Sequence, residues 1–343
     1  MNVSAWLNTL STAARTLPII VLYVTEGCNL RCRMCSYRNP LPNELSLPEI
    51  RNLARALGTL GLRHIVYSGG EPLLRRDFPE ICGIFREAAA KQTLLTNGLL
   101  LDKRFDEIRS YLTEIIVSLD GARAGTHDEI RGVNSFDQIV EGIRNATRNP
   151  AGRTVSIRTV VHRGNFREII EMVHLARSLG VDRVSFLSAD ILSGSFGRER
   201  AGKAAPDNSV VLNEEEVREF RLLVGTMAAS CAGEFETGFI SESPAKMYHL
   251  VEYYEALLGK RPFPRNRCNA PMVSAVVTSE GDIHPCFFLP SFGSIRKQPL
   301  NVLINSDDIV RTRSEVRAYT LERCRTCVCT LNVRPWSALL DRF

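Results

Sequence analysis

"VTEGCNLRCRMCSYRN", residues 24–39, sets Cys28, Cys32 and Cys35, three of the chain's ten cysteines, within eight positions. The segment "IIVLYV" (19–24), which leads into it, is apolar and β-branched and predicts a buried strand. The cysteines therefore fall in a loop at that strand's carboxyl end. Zinc sites usually use two-residue gaps and four ligands to close the shell. Here the gaps are three and then two residues, and no fourth ligand lies close in sequence. A four-iron cluster held by three thiolates keeps one iron open to another ligand.

Five more segments of the same kind follow: "HIVYSGG" (64–70), "QTLLTNG" (92–98), "EIIVSLDG" (114–121), "VSIRTVV" (155–161) and "DRVSFLSAD" (182–190). Helices are expected between them. In the first, Leu47, Ile50, Leu53, Leu57 and Leu60 share one face. Ser46 with Glu49 has capping-box spacing, Pro48 suits a first turn and Gly61 suits the stop. Further helices are expected at about 78–90, 102–110, 136–148 and 166–179. A β-α unit repeated six times predicts an α/β fold with a parallel sheet, open or curled into a barrel. Ligands then bind at the strands' carboxyl ends, where the Gly, Ser, Asn and Asp residues cluster.

The whole chain sets limits on function. It has 343 residues and a formal net charge of +5, with no block of like charges, so nothing points to nucleic acid. No apolar run is long enough to span a membrane and no secretion signal is evident, so a reducing, cytoplasmic setting is expected. After about residue 190 the pattern changes. "SGSFGRERAGKAAPDNS" reads as a loop, 213–260 as mainly helical, and "KRPFPRNR" (260–267) as a boundary. "SAVVTSEGDIHPCFF" reads as two short strands, and "CRTCVC" ends the cysteine-bearing tail. The expected divisions are an N-terminal extension (1–18), a barrel (19–205), a helical linker (206–260) and a small C-terminal α+β domain (261–343).

With CxxxCxxC following the first strand of a β-α series, the chain resembles the radical S-adenosylmethionine (SAM) superfamily. That resemblance implies a partial (β/α)6 TIM-type barrel. It also implies a [4Fe-4S] cluster on Cys28, Cys32 and Cys35 whose open iron chelates SAM. An electron from the cluster then breaks a sulfur–carbon bond to give a 5′-deoxyadenosyl radical, which removes a hydrogen atom from substrate. By the same resemblance, Gly69, Gly70 and Glu71 of "SGGEP" meet the SAM amine, and Ser118 and Arg131 its carboxylate, with Asp120 nearby and Asn97 of "TNG" a further candidate. The family usually has an aromatic residue before the third cysteine; here it is Met34, whose thioether can cover an adenine face.

Cys268, Cys286, Cys324, Cys327 and Cys329 form a second group. It resembles the SPASM or shorter twitch domains of the same superfamily, with "GDIHPC" supplying the glycine-x4-cysteine element through Gly281 and Cys286. A full SPASM domain carries more cysteines and a pair of clusters. Five cysteines here imply one additional [4Fe-4S] cluster on Cys268, Cys286, Cys324 and Cys327, with Cys329 spare or a substitute. A four-cysteine zinc site would use the same residues. Cys82 and Cys231 read as core residues.

Asp190 and Asp282 are candidate proton acceptors, with Glu280 and His284 beside the hairpin. The expected function is hydrogen abstraction from a small biosynthetic intermediate such as a sugar, nucleoside or tetrapyrrole, leading to oxidation, epimerisation, decarboxylation or bond formation. A flavodoxin or ferredoxin would donate the electron. The short segment before the first strand favours a small molecule over a peptide to be matured. A non-catalytic metal-binding scaffold is the alternative from another class.

Overall fold

The computed structural model describes residues 3–88, 90–150, 152–202 and 208–339. Six strands alternate with helices through its first half. They are β1 (Ile19–Thr25), β2 (His64–Gly69), β3 (Lys91–Thr96), β4 (Glu114–Ser118), β5 (Thr154–Val161) and β6 (Arg183–Ser188). α1 (Val3–Leu10) precedes them, and α2 (Leu47–Thr59), α3 (Phe78–Glu87), α4 (Leu101–Ile108), α5 (Ala124–Arg131), α6 (Phe136–Arg148) and α7 (Ile169–Ser178) are interleaved. All six strands pair in parallel with their sequence neighbours. This is the partial TIM-type barrel. One face of each strand packs under the helices: Ile20, Leu22, Ile65, Leu94, Ile115, Val117, Val155 and Ile157 are buried in one core with Leu53, Leu57, Phe85, Ile139 and Ile143.

The predicted start of α2 is present, with Ser46 N–H donating to the Glu49 carboxylate at 2.9 Å. Gly61 ends it in the left-handed region, φ +72°. α5 lies between β4 and α6 where no helix was expected. It ends at Gly132, φ +69°, which supports a left-handed stop.

α8 (Glu214–Ser230), α9 (Ala232–Glu236) and α10 (Pro244–Leu257) form the helical stretch after the barrel. Then come α11 (Ala270–Val273), β7 (Ser274–Val277), β8 (Asp282–His284), β9 (Gly293–Ser294), α12 (Leu300–Leu303) and α13 (Asp307–Ala318). The predicted hairpin is β7–β8, but it does not stand apart. β7 pairs in parallel with β1, Ile19 opposite Ser274, so one nine-stranded sheet runs β6-β5-β4-β3-β2-β1-β7-β8-β9. All four residues of β7 are buried, as a strand covered on both faces requires. The N-terminal segment docks on the same region. The buried Arg313 donates to the carbonyls of Pro271, Thr12 and Ile304, and Arg317 donates to those of Thr9, Leu10 and Ser11.

Candidate active site

The first cysteine loop leaves β1 and is pinned at both ends by one carboxylate. Glu44 accepts from Thr25 Oγ1 (2.9 Å), Glu26 N–H (2.8 Å) and Leu41 N–H (3.0 Å). Its middle is held by the end of α5. The terminal carbonyls of a helix have no intrahelical partner; here those of Ile130 and Arg131 accept N–H bonds from Arg33 (3.2 Å) and Arg31 (2.9 Å). Ser36 N–H donates to Phe196 O at 2.9 Å, tying the loop to the segment after β6.

The "SGGEP" glycines are explained by this loop. A Cβ on Gly70 would lie 2.1 Å from Gly27 O, and one on Gly69 would lie 2.4 Å from Thr25 O. Glu71 N–H bonds Gly27 O at 2.7 Å. The Glu71 carboxyl is fully buried, not open for a cation. It accepts from Thr96 Oγ1 (2.8 Å), Asn97 N–H (2.7 Å) and Leu73 N–H (3.0 Å), and burial pushes its pKa up to about 7 against those donors.

Two side chains aim N–H groups at the thiols. Asn97 Nδ2 reaches Cys28 Sγ at 3.8 Å and Asn29 Oδ1 at 2.8 Å. Arg131 Nη1 reaches Cys32 Sγ at 3.7 Å, while Nη2 pairs with Asp120 Oδ2 at 2.8 Å. Burial works against the Arg131 charge, but Asp120 and the nearby thiols outweigh it and raise its pKa. Arg131 Nε is buried and has no hydrogen-bond partner. Ser118 stands half-buried at the end of β4.

Asp120 is held by residues that motif spacing did not mark. Its Oδ1 accepts Val160 N–H at 2.8 Å, and its own N–H donates to His127 Nδ1 at 3.2 Å. Asn165 Nδ2 donates to Asp120 O at 2.9 Å. Burial pushes His127 down to about 4, so it is a neutral acceptor at this position. An acceptor seven residues beyond Asp120, carried inward by α5, could have been found once that helix was recognised.

Asp190 is occupied. It is buried, and its oxygens are engaged by Arg198, Ser193 and Arg323. Arg198 also donates to Met34 O at 2.7 Å, so the carboxylate links the cysteine loop to the tail beside Cys324. The Met34 side chain packs against the patch formed by Ala189, Ile191 and Val210. Asp282 lies at the start of β8 and its N–H donates to Thr278 Oγ1 at 3.0 Å. Glu280 is paired with Arg200 at 2.8 Å, and His284 Nδ1 contacts Leu289 O at 3.0 Å. Cys82 and Cys231 are core residues.

All five C-terminal cysteines line one cavity of about 320 Å³, together with Ile19 and Val21 of β1. None of the ten cysteines is in a disulfide. Among the described residues, no three His, Cys, Asp or Glu side chains gather about a single-ion position. Several free thiols sharing one loop or one cavity are the donor set that an iron–sulfur cluster uses. Tyr23 lies between the two groups. It is 6.1 Å edge-on from Tyr37, beyond Cys35, and 6.2 Å stacked from Phe287, next to Cys286.

Comparison with known proteins agrees with this geometry. The radical SAM superfamily profile matches residues 22–176, and that of the SPASM iron–sulfur cluster-binding domain matches residues 268–328. The chain belongs to the radical SAM superfamily. Among relatives of this radical SAM enzyme, Fe-coproporphyrin III synthase of Methanosarcina barkeri is 28% identical, over 92% of this chain and 83% of that protein. PqqA peptide cyclase of Streptomyces rochei is 27% identical, over 90% and 80%. Streptococcus suis SuiB, solved with S-adenosylmethionine bound, shares the fold at a TM-score of 0.65 and 17% identity, over 94% of this chain and 75% of SuiB. Radical SAM enzymes of this type bind SAM, a [4Fe-4S] cluster at the N-terminal cysteines and further iron–sulfur at the C-terminal ones. No described helix of this one is long and apolar enough to cross a membrane.

Proposed function

We propose that this radical SAM enzyme abstracts a hydrogen atom from a small biosynthetic intermediate. The observation that carries the reading is the shared edge where Cys28 and Cys32 receive N–H groups from Asn97 and from Arg131, itself braced by Asp120. When bound there, the cluster and SAM supply a 5′-deoxyadenosyl radical. Cys28, Cys32 and Cys35 would hold the cluster. In this reading Gly69 and Gly70, packed against the cysteine loop, would lie beside the SAM amine, and Ser118 and Arg131 would bind its carboxylate. Glu71 and Asp120 act one step back, by fixing Asn97 and Arg131. Asp190 serves as a charge tie, not as the proton acceptor. Cys268, Cys286, Cys324 and Cys327 would hold the second cluster, with Cys329 at the same cavity. Resemblance to Fe-coproporphyrin III synthase across most of both chains supports a small molecule. We place the enzyme in the cytoplasm, where a flavodoxin or ferredoxin can reduce it.

The test is anaerobic reconstitution with iron and sulfide, followed by SAM and a reductant. Formation of 5′-deoxyadenosine supports the reading, and its absence in protein of full iron content would refute it. Resemblance to PqqA peptide cyclase favours a second reading, in which a peptide is modified. A precursor-peptide gene beside this one, and consumption of that peptide, would replace the small molecule.

A further inference from the structure

Strands of a parallel sheet are covered on both faces and read as apolar runs. β5 departs from this at Arg158. Val155, Ile157 and Val161 are buried in the main core, whereas Ser156, Arg158 and Val160 alternate onto the concave face. That face is not packed shut: Tyr23, Ser68, Ile116, Ser118 and Leu187 on it are only half-buried. Arg158 sits midway across, opposite Ser118 on β4 and Ser185 on β6.

Its guanidinium is weakly held. Nε donates to Ser185 Oγ at 3.3 Å, and no described carboxylate forms an ion pair with it. Arg131, Arg163, Arg198 and Arg323, by contrast, are each paired with Asp or Glu. Glu242 and Cys329 interact with it electrostatically from neighbouring elements, and Lys246 acts on the same two groups. Glu242 precedes α10 and accepts Phe186 N–H at 2.8 Å, Lys246 is on α10, and Cys329 is in the tail. Arg158 and Lys246 both lower the pKa of Glu242, which burial raises. A half-buried guanidinium with no ion pair and one long hydrogen bond has N–H donors to spare for a bound anion.

Its position relates it to both cysteine groups. Two residues along β5, Val160 N–H holds Asp120, which braces Arg131 beside Cys32. On the other side, Cys329 lines the cavity shared by the C-terminal cysteines. We propose that Arg158 anchors an anionic group of the substrate, a carboxylate or a phosphate, on the concave face between the two cysteine groups. A planar guanidinium offers such a group two parallel N–H bonds. This assignment rests on the small-molecule reading above.

The experiment titrates reconstituted holoprotein with Fe-coproporphyrin III, a polycarboxylate followed by its Soret band, and with a fluorescent GTP analogue, a polyphosphate. Wild type is expected to bind one of them. Arg158→Met should weaken that binding at least tenfold and Arg158→Lys by less, with iron content unchanged in both. Equal affinity in wild type and Arg158→Met, binding of neither probe by wild type, or loss of iron from Arg158→Met together with Arg158→Lys would overturn the proposal. The 5′-deoxyadenosine assay on wild type separates the two claims. Product formed there with no dependence of binding on Arg158 removes only the anchor; no product removes the reading beneath it.

Discussion

Arg131 Nη2 lies 2.8 Å from Asp120 Oδ2, and Nη1 of the same guanidinium lies 3.7 Å from Cys32 Sγ. A single side chain thus joins the end of β4 to the cysteine loop. Asp120→Ala would leave a nearly buried charge without its partner, a loss of about 3–5 kcal/mol. The expected result is a lower denaturant midpoint. 5′-Deoxyadenosine formation should drop by at least about a hundredfold, since about 2.7 kcal/mol lost in the transition state is two factors of ten. Retention of wild-type rates would show that the pair is dispensable.

Iron counting separates the two cysteine groups. With both clusters in place the holoprotein should hold about eight irons per chain. Cys28→Ala, Cys32→Ala or Cys35→Ala should each reduce this to about four and abolish 5′-deoxyadenosine. The double variant Cys268→Ala with Cys286→Ala should also reach about four, yet keep the spectrum of the N-terminal cluster. Bound zinc at the second site, found by metal analysis, would contradict the assignment.

Glu71 predicts a pH effect on stability. Burial raises its pKa from 4.5 to about 7. The folded state therefore holds the proton more tightly than the unfolded chain. The resulting stabilisation is fully present below about 4.5 and is lost as pH rises through about 7, a change on the order of 3 kcal/mol. In urea titrations of the cluster-free protein, wild type minus Glu71→Gln should fall across that window. A flat difference would mean that Glu71 is ionised in the fold.

Two glycines should respond oppositely to a methyl group. Gly70→Ala places Cβ 2.1 Å from Gly27 O, against backbone that cannot rotate away. A loss of about 3 kcal/mol and poor retention of the N-terminal cluster are expected. Gly58, within α2, has nothing within 4 Å of the added carbon. Gly58→Ala should stabilise by about 0.5–1 kcal/mol in thermal or urea unfolding.

Asp190→Ala tests a tie against a catalytic role. It strands Arg198, which is 1% exposed, and removes the link to Arg323. Stability should fall by about 3–5 kcal/mol. Product formation at a temperature where the variant is folded should keep the pH profile of wild type. Loss of one limb of that profile, with the fold intact, would make Asp190 a proton acceptor after all.

The strands were legible because each is a short apolar run, several of them closed by Gly, Asn, Asp or Ser, and because three tight cysteines follow the first. All six lie within a few residues of where the pattern places them. The functions of single residues were less visible, because they depend on contacts distant in sequence. The glycines of "SGGEP" answer to Gly27 and Thr25, more than forty positions earlier. Asp190 looks like a free strand-end acid until Arg198 and Arg323 are brought to it. α5 was missed because its eight residues, "AGTHDEIR", carry few apolar side chains, only His127 and Ile130 being buried. Arg158 drew no notice because a lone arginine in a strand has no spacing to read, and only the register shows what faces it.

The pairing of β7 with β1 has a consequence for biosynthesis. Leu22 finds Val277 only after about 250 further residues have left the ribosome, on the order of 10–50 s at ordinary elongation rates. Until then the first strand shows an unpaired edge, a template for sticking to other nascent chains. Fragments lacking the tail should therefore precipitate, and slower translation or a chaperone that shields this edge should raise the yield of intact protein.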